Sequence, residues 1–242
     1  MNYKYFEIIK ESNFSGWDSD KNGKRWEDYD TILCPNGQVI DMVKLLDDQH
    51  RAQAALVHLN PALGGFVSKL RQIYTFKVST QATDGYNLFI NPQFTYNLNL
   101  TEKCFVLAHE VMHCLLNHMR RGKGHNPERS NIAADYECNI TLVEMGMFKF
   151  DTIKNLGAYI DTKYANMGYE SIYNDCSGSA SDSMSNQQQQ VQAAQNSNQS
   201  SSQSSSSSGS GSGGGNNTPK SEAYKRGWKK AIEDYKKGVL KL

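Results

Sequence analysis

Two histidines and a glutamate stand together in His109-Glu110-Val111-Met112-His113. At about 3.6 residues per turn, side chains at i and i+4 share one face of a helix, so both imidazoles can reach a single ion. Neutral imidazole suits divalent zinc, and a glutamate beside the first histidine can act as general base toward a water that the zinc acidifies. This is the chemistry of metal-assisted peptide hydrolysis, with Zn2+ as the cofactor, His109 and His113 as ligands and Glu110 as the catalytic base.

A catalytic zinc needs a third protein ligand and one position left open. The metzincin spacing would place that ligand six residues beyond His113, after a glycine turn. Leu116 stands where the glycine should be and Met119 where the ligand should be, so that pattern fails. His118 lies nine residues after His109, about 180° around a continuous helix, and is expected to point away from the metal. Asp135 is the better third ligand. It sits in Asn131-Ile132-Ala133-Ala134-Asp135-Tyr136-Glu137-Cys138-Asn139, where Asp135 and Asn139 are i and i+4 and face the same way. The small Ala133 and Ala134 would let this second helix approach the first closely. An amide at Asn139 could then orient a ligand imidazole from behind. Glu137, about 200° around from Asp135, should face elsewhere. Tyr136 and His125 are both candidates for the donor that stabilises a tetrahedral oxyanion, and the sequence does not choose between them.

Positioning these residues requires two helices and a small sheet. Val39, Ile40, Val43, Leu46, Ala54, Leu56 and Val57 recur at helical spacing, and Asn60-Pro61 ends that helix. Pro61 suits the first turn of a second short helix reaching about Leu70. Gln72 to Thr80 and Tyr86 to Ile90 are rich in β-branched and aromatic residues, and Asp84-Gly85 between them signals a hairpin. Thr101 is a suitable N-cap for the helix carrying the histidines. The helix carrying Asp135 is expected to begin near Ser130 and to stop at Gly146. The fold class is therefore α+β, zincin-like and mostly helical, with a small hairpin or sheet beside the metal helix. Tyr86, Asn87, Leu88, Phe89 and Ile90 are expected to form an edge strand that an extended substrate could join.

Composition narrows the alternatives. Five cysteines without a CxxC pair point to neither a zinc ribbon nor a thioredoxin-type site, and free thiols fit a reducing compartment. Cys104, Cys114 and Cys138 fall on predicted helices, where a free cysteine acts as a small apolar residue. No stretch reads as a secretory signal or approaches the roughly 20 apolar residues of a membrane span, so a cytoplasmic location is expected. Residues 1–37 read as an N-terminal extension and 38–176 as the catalytic domain. Residues 177–219, almost wholly Ser, Gln, Asn and Gly, read as a disordered linker. Residues 220–242 carry eight Lys and Arg against three acids. Tyr224, Trp228, Ile232, Tyr235, Val239 and Leu242 give them one apolar stripe, a helix suited to a protein partner or an anionic surface. The charge balance elsewhere does not suggest a nucleic-acid partner.

Residues Gln38 to Cys176 resemble the metallopeptidase domain that precedes von Willebrand A-type domains in many bacterial proteins. The resemblance is carried by Ala82-Thr83-Asp84-Gly85, Phe89-Ile90-Asn91-Pro92, Phe105 through His113, Asn131 through Asp135, and Gly168-Tyr169-Glu170-Ser171-Ile172-Tyr173. It implies a zincin-like fold and zinc peptidase activity on a protein or peptide, with His109, His113 and Asp135 in the metal positions and Glu110 as base. No von Willebrand domain is expected to follow, since 242 residues leave too little room for one and Ser181-Asp182-Ser183-Met184-Ser185 lacks that domain's serine spacing. A standalone version of this kind suits a phage or bacterial gene. The rival expectation is a catalytically silent binding or scaffold module holding a structural zinc.

Overall fold

A computed structural model describes residues 16–176. The expected linker and C-terminal helix lie outside the described residues, as does the start of the N-terminal extension. The first ordered pair is a hairpin of β1 (Thr31–Leu33) and β2 (Val39–Asp41), antiparallel with Ile32 opposite Ile40. Gly37, at φ 86°, makes the turn that an L side chain would strain. This hairpin joins the two sides of residue 37, and Ile32 and Cys34 enter the same core as the helices that follow. Val39 and Ile40, expected in a helix, therefore belong to a strand.

Helix α1 (Met42–Leu59) starts one residue later because Asp41 caps it, accepting from the Lys44 amide at 2.9 Å. Its buried residues Met42, Leu45, Gln49, Ala52 and Leu56 fall every three or four positions, one face of a helix. Asn60 then ends α1 and caps α2 (Pro61–Val67) by accepting from the Ala62 and Leu63 amides. The two helices touch so closely that a Cβ on Gly64 would lie 2.4 Å from the Val57 Cα. Backbone cannot yield as a side chain can. Gly64→Ala is therefore expected to destabilise the fold by about 1–3 kcal/mol, read as a lower thermal midpoint.

The three-stranded sheet comprises β3 (Arg71–Tyr74), β4 (Gln81–Thr83) and β5 (Asn87–Ile90) in the order β3-β5-β4. β5 runs parallel to β3 and antiparallel to β4. Two expectations change as a result. The Asp84-Gly85 hairpin joins β4 to β5, with Asp84 Oδ1 accepting from the Tyr86 and Asn87 amides, and β3 arrives by a crossover. β5 is the central strand, so Asn87, Leu88, Phe89 and Ile90 have no free edge to offer a peptide, and Tyr86 lies in the exposed turn before it. Sheet order depends on long-range packing, which a local pattern of β-formers does not contain.

Alternation along β5 gives the sheet two apolar faces. Leu88 and Ile90 enter the main core, while Phe89 joins Ile73, Val78 and Ala82 under Trp17. After the short α3 (Pro92–Tyr96), α4 (Leu100–Leu115) crosses the sheet against β4 and lies along α1. Its N-cap is Asn99, not Thr101: the Asn99 side chain accepts from the Glu102 amide and Glu102 accepts from the Asn99 amide, a full capping box. A four-residue helix, α5 (His118–Arg121), follows, and then α6 (Pro127–Glu144), which is capped by Asn126 and begins three residues before the expected start at Ser130. The small α7 (Phe150–Asn155) leads to α8 (Tyr169–Asp175). Ala133 and Ala134 of α6 pack with Tyr164, Tyr169 and Ile172 in a second core, so these small residues admit α8 as well as α4. Eight α-helices and two small sheets make the described part α+β. None of its helices is long and apolar enough to cross a membrane.

Candidate metal centre

His109 and His113 lie on α4 and Asp135 on α6, and the two helices bring them together below the surface. The Nε2 atoms of the histidines are 3.0 Å apart. Asp135 Oδ1 lies 3.2 Å from His113 Nε2 and 3.5 Å from His109 Nε2. With bonds of about 2.1 Å, a tetrahedral ion separates its ligands by about 3.4 Å, close to all three spacings.

The hydrogen bonds behind these atoms show what they present to one another. Asn139 donates its amide to the Tyr159 carbonyl at 2.8 Å, which leaves its Oδ1 to accept from His109 Nδ1 at 2.7 Å. A neutral His109 with its proton on Nδ1 turns a lone pair outward at Nε2. Asn131 approaches the outer oxygen of Asp135, Oδ2, at 3.5 Å, while the inner oxygen Oδ1 is buried without a hydrogen-bond partner. Three acceptors facing each other in a buried space repel unless a cation or a proton lies among them. The arrangement fits a metal ion.

Electrostatics favour the metal-binding form at His113 and Asp135, while His109 is held toward its protonated form by the carboxylate an ion would share. Burial pulls the His109 pKa down, but the nearby Asp135 carboxylate, aided by Glu110 and Asn139, raises it overall. Burial drives His113 well below the ordinary histidine range, and its neighbours His109 and His118 add to the effect against Asp135. Burial would raise the Asp135 carboxyl, yet the two imidazoles hold it far below the usual carboxylate range. A carboxylate and an uncharged imidazole are the forms that bind zinc.

Cys138 competes for the third place, since His109, His113 and Cys138 also bring donor atoms within 4.8 Å of one another. We favour Asp135. Its oxygen faces both Nε2 lone pairs, whereas Cys138 Sγ sits 3.7 Å from His118 Nδ1, beside the other edge of the His113 ring. Burial and the nearby carboxylates push the Cys138 thiol well above its ordinary range, so it stays protonated without a metal.

Glu110 is buried on α4 next to His109, with only 2% of its surface exposed. Tyr136 and His125 are drawn elsewhere. The Tyr136 ring packs on Tyr159 and Tyr164, and burial pushes its hydroxyl up to about 12. His125 stacks on Tyr173 and its Nδ1 meets the Tyr169 hydroxyl at 2.9 Å.

His118 does not point away. Helix α4 ends at Leu115, and Asn117 takes a left-handed conformation at φ 58°, which swings the chain and starts α5 at His118. Counting angles along one helix fails past that break. The His118 ring is buried with Nδ1 3.0 Å from His113 Nδ1 and Nε2 2.7 Å from Glu137 Oε2. Asparagine tolerates the left-handed region better than other side chains, so Asn117 was the available signal.

The family whose model is described as "Putative metallopeptidase domain" matches residues 46–237, well over half of the chain. The chain belongs to this family. No curated protein matches, and no solved structure does either. Membership in the metallopeptidase-domain family supports a metal-dependent peptidase in general terms, acting on protein or peptide, and the buried histidine cluster offers a metal site consistent with it.

Proposed function

We propose that this metallopeptidase-family chain is a zinc-dependent endopeptidase of zincin-like fold, with His109, His113 and Asp135 as ligands and Glu110 as general base. The reading rests on the meeting of two Nε2 atoms and the unpartnered Asp135 Oδ1 at 3.0–3.5 Å. When bound, zinc supplies Lewis acidity, lowering the pKa of a water to about 7 and polarising a peptide carbonyl. Glu110 accepts a proton from the attacking water and returns it to the leaving amine. Asn139 holds the ring of His109, and Asn131 holds Asp135 by its outer oxygen.

Elemental mass spectrometry tests this reading. The expected result is about one zinc per chain, the load of a single site of this kind. Hydrolysis of an unfolded polypeptide should stop in chelator and resume with zinc. No zinc after reconstitution would overturn the reading. The position of Cys138 favours one alternative: with four protein donors the site would be closed, as in structural zinc centres. A zinc-loaded protein inert toward all unfolded polypeptides would favour that scaffold.

A further inference from the structure

Behind His113 runs a chain of polar groups that the peptidase mechanism does not use. Arg121, in α5, donates to Glu137 Oε2 at 2.9 Å, to the Leu116 carbonyl at 3.0 Å, and through two nitrogens to both Glu170 oxygens at 2.8 Å. It thereby ties the end of α4, the middle of α6 and the start of α8 together. Glu137 is fully buried and accepts at the same oxygen from His118 Nε2.

The protons along this chain can be assigned in order. A carboxylate only accepts, so His118 must carry a proton on Nε2. Arg121 shares its charge between Glu137 and Glu170, and full burial of the His118 ring disfavours its charged form, so the carboxylate holds a neutral His118 by one hydrogen bond. A neutral imidazole protonated on Nε2 has a bare Nδ1, which can only accept. The 3.0 Å contact between the two Nδ1 atoms then needs its proton from His113. His113, protonated on Nδ1, is left with a lone pair on Nε2, the atom facing His109 and Asp135. Reversing the chain would put a proton on His113 Nε2, where it would block a metal.

Resting on the zinc reading above, we infer that Glu137 and His118 are positioning residues that fix the proton of His113 on Nδ1 and so keep its Nε2 open to the metal. A ligand histidine usually gives its second N–H to a carboxylate or carbonyl. Here a second histidine is interposed, which carries the influence of a carboxylate on α6 to a ligand on α4.

The test compares His118→Leu with His118→Gln in the full chain. Leucine can neither accept nor donate. Glutamine offers an acceptor oxygen and a donor nitrogen spaced much like the two ring nitrogens. Zinc affinity, measured by competition with a chromophoric chelator, should fall roughly 10–100-fold in His118→Leu. Most of it should return in His118→Gln. Long-range 1H–15N spectra of the wild-type imidazoles should show His118 protonated on Nε2 alone and His113 on Nδ1. Equal zinc affinity in wild type and His118→Leu, or a His118 protonated on Nδ1, would overturn the inference while leaving the zinc site intact. If His118→Leu fails to fold, the wild-type spectrum still decides. A wild-type protein that takes up no zinc would instead overturn the zinc reading, and this inference with it.

Discussion

Glu110→Gln is expected to keep its zinc and to lose roughly 10²–10⁴-fold in hydrolysis, the usual share of a positioned acid–base group. The substitution keeps the shape of the side chain and removes its ability to take a proton. Glu110 is buried in α4 beside His109, so a bulkier or smaller replacement would confuse a lost base with a disturbed core. Glutamine avoids that confusion. The ligands His109, His113 and Asp135 are untouched, so metal content should equal that of the wild type. Both quantities come from one preparation: zinc by elemental mass spectrometry, turnover by release of fluorescence from an unstructured peptide. Cleavage within a few-fold of wild type would remove Glu110 from the mechanism, and loss of zinc would assign it to the metal site instead.

The contrast between Asp135 and His118 shows what the sequence made legible. Asp135 and Asn139 are both placed by the rule that i and i+4 share a helix face, and the rule works because α6 runs unbroken from Pro127 to Glu144. Asn139 does meet His109, and Asp135 lies among the imidazoles. The same angular rule turns His118 the wrong way because α4 has already ended three residues before it. Glu137, on another face of α6 from Asp135, meets His118, a partner that helix periodicity alone does not reveal. Two residues that each seemed to leave the site meet one another behind it.

The remaining differences have simpler causes. Asn99 and Asn126 cap α4 and α6 a few residues before the positions suggested by apolar periodicity, since a cap precedes the first residue that can be buried. Cys138 was readable as a small apolar residue and is indeed buried, but its nearness to His113 and His118 arises only when α6 is laid on α4. The central place of β5 likewise follows from a parallel partner more than ten residues upstream, which no turn signal announces.

Asp135→Asn and Cys138→Ser together should decide the third ligand. Zinc that binds only the folded state stabilises it by RT ln(1 + [Zn]/Kd), about 2.7 kcal/mol at a hundredfold excess over Kd. For a domain of this size that raises the thermal midpoint by roughly 5–10 °C. In Asp135→Asn the shape persists, but the charge that faces both Nε2 atoms is gone. Its affinity should fall by more than the roughly 10–100-fold that an outer-shell partner is worth, and the zinc-induced rise should vanish at the same free zinc. Cys138→Ser should keep the rise, since its thiol lies toward His118 Nδ1, away from the Nε2 pair. Calorimetry with and without chelator reads both variants. The reverse pattern, with the rise kept in Asp135→Asn and lost in Cys138→Ser, would make the thiol the ligand. Loss in both would mean four protein donors, and a closed site has no position for a reacting water.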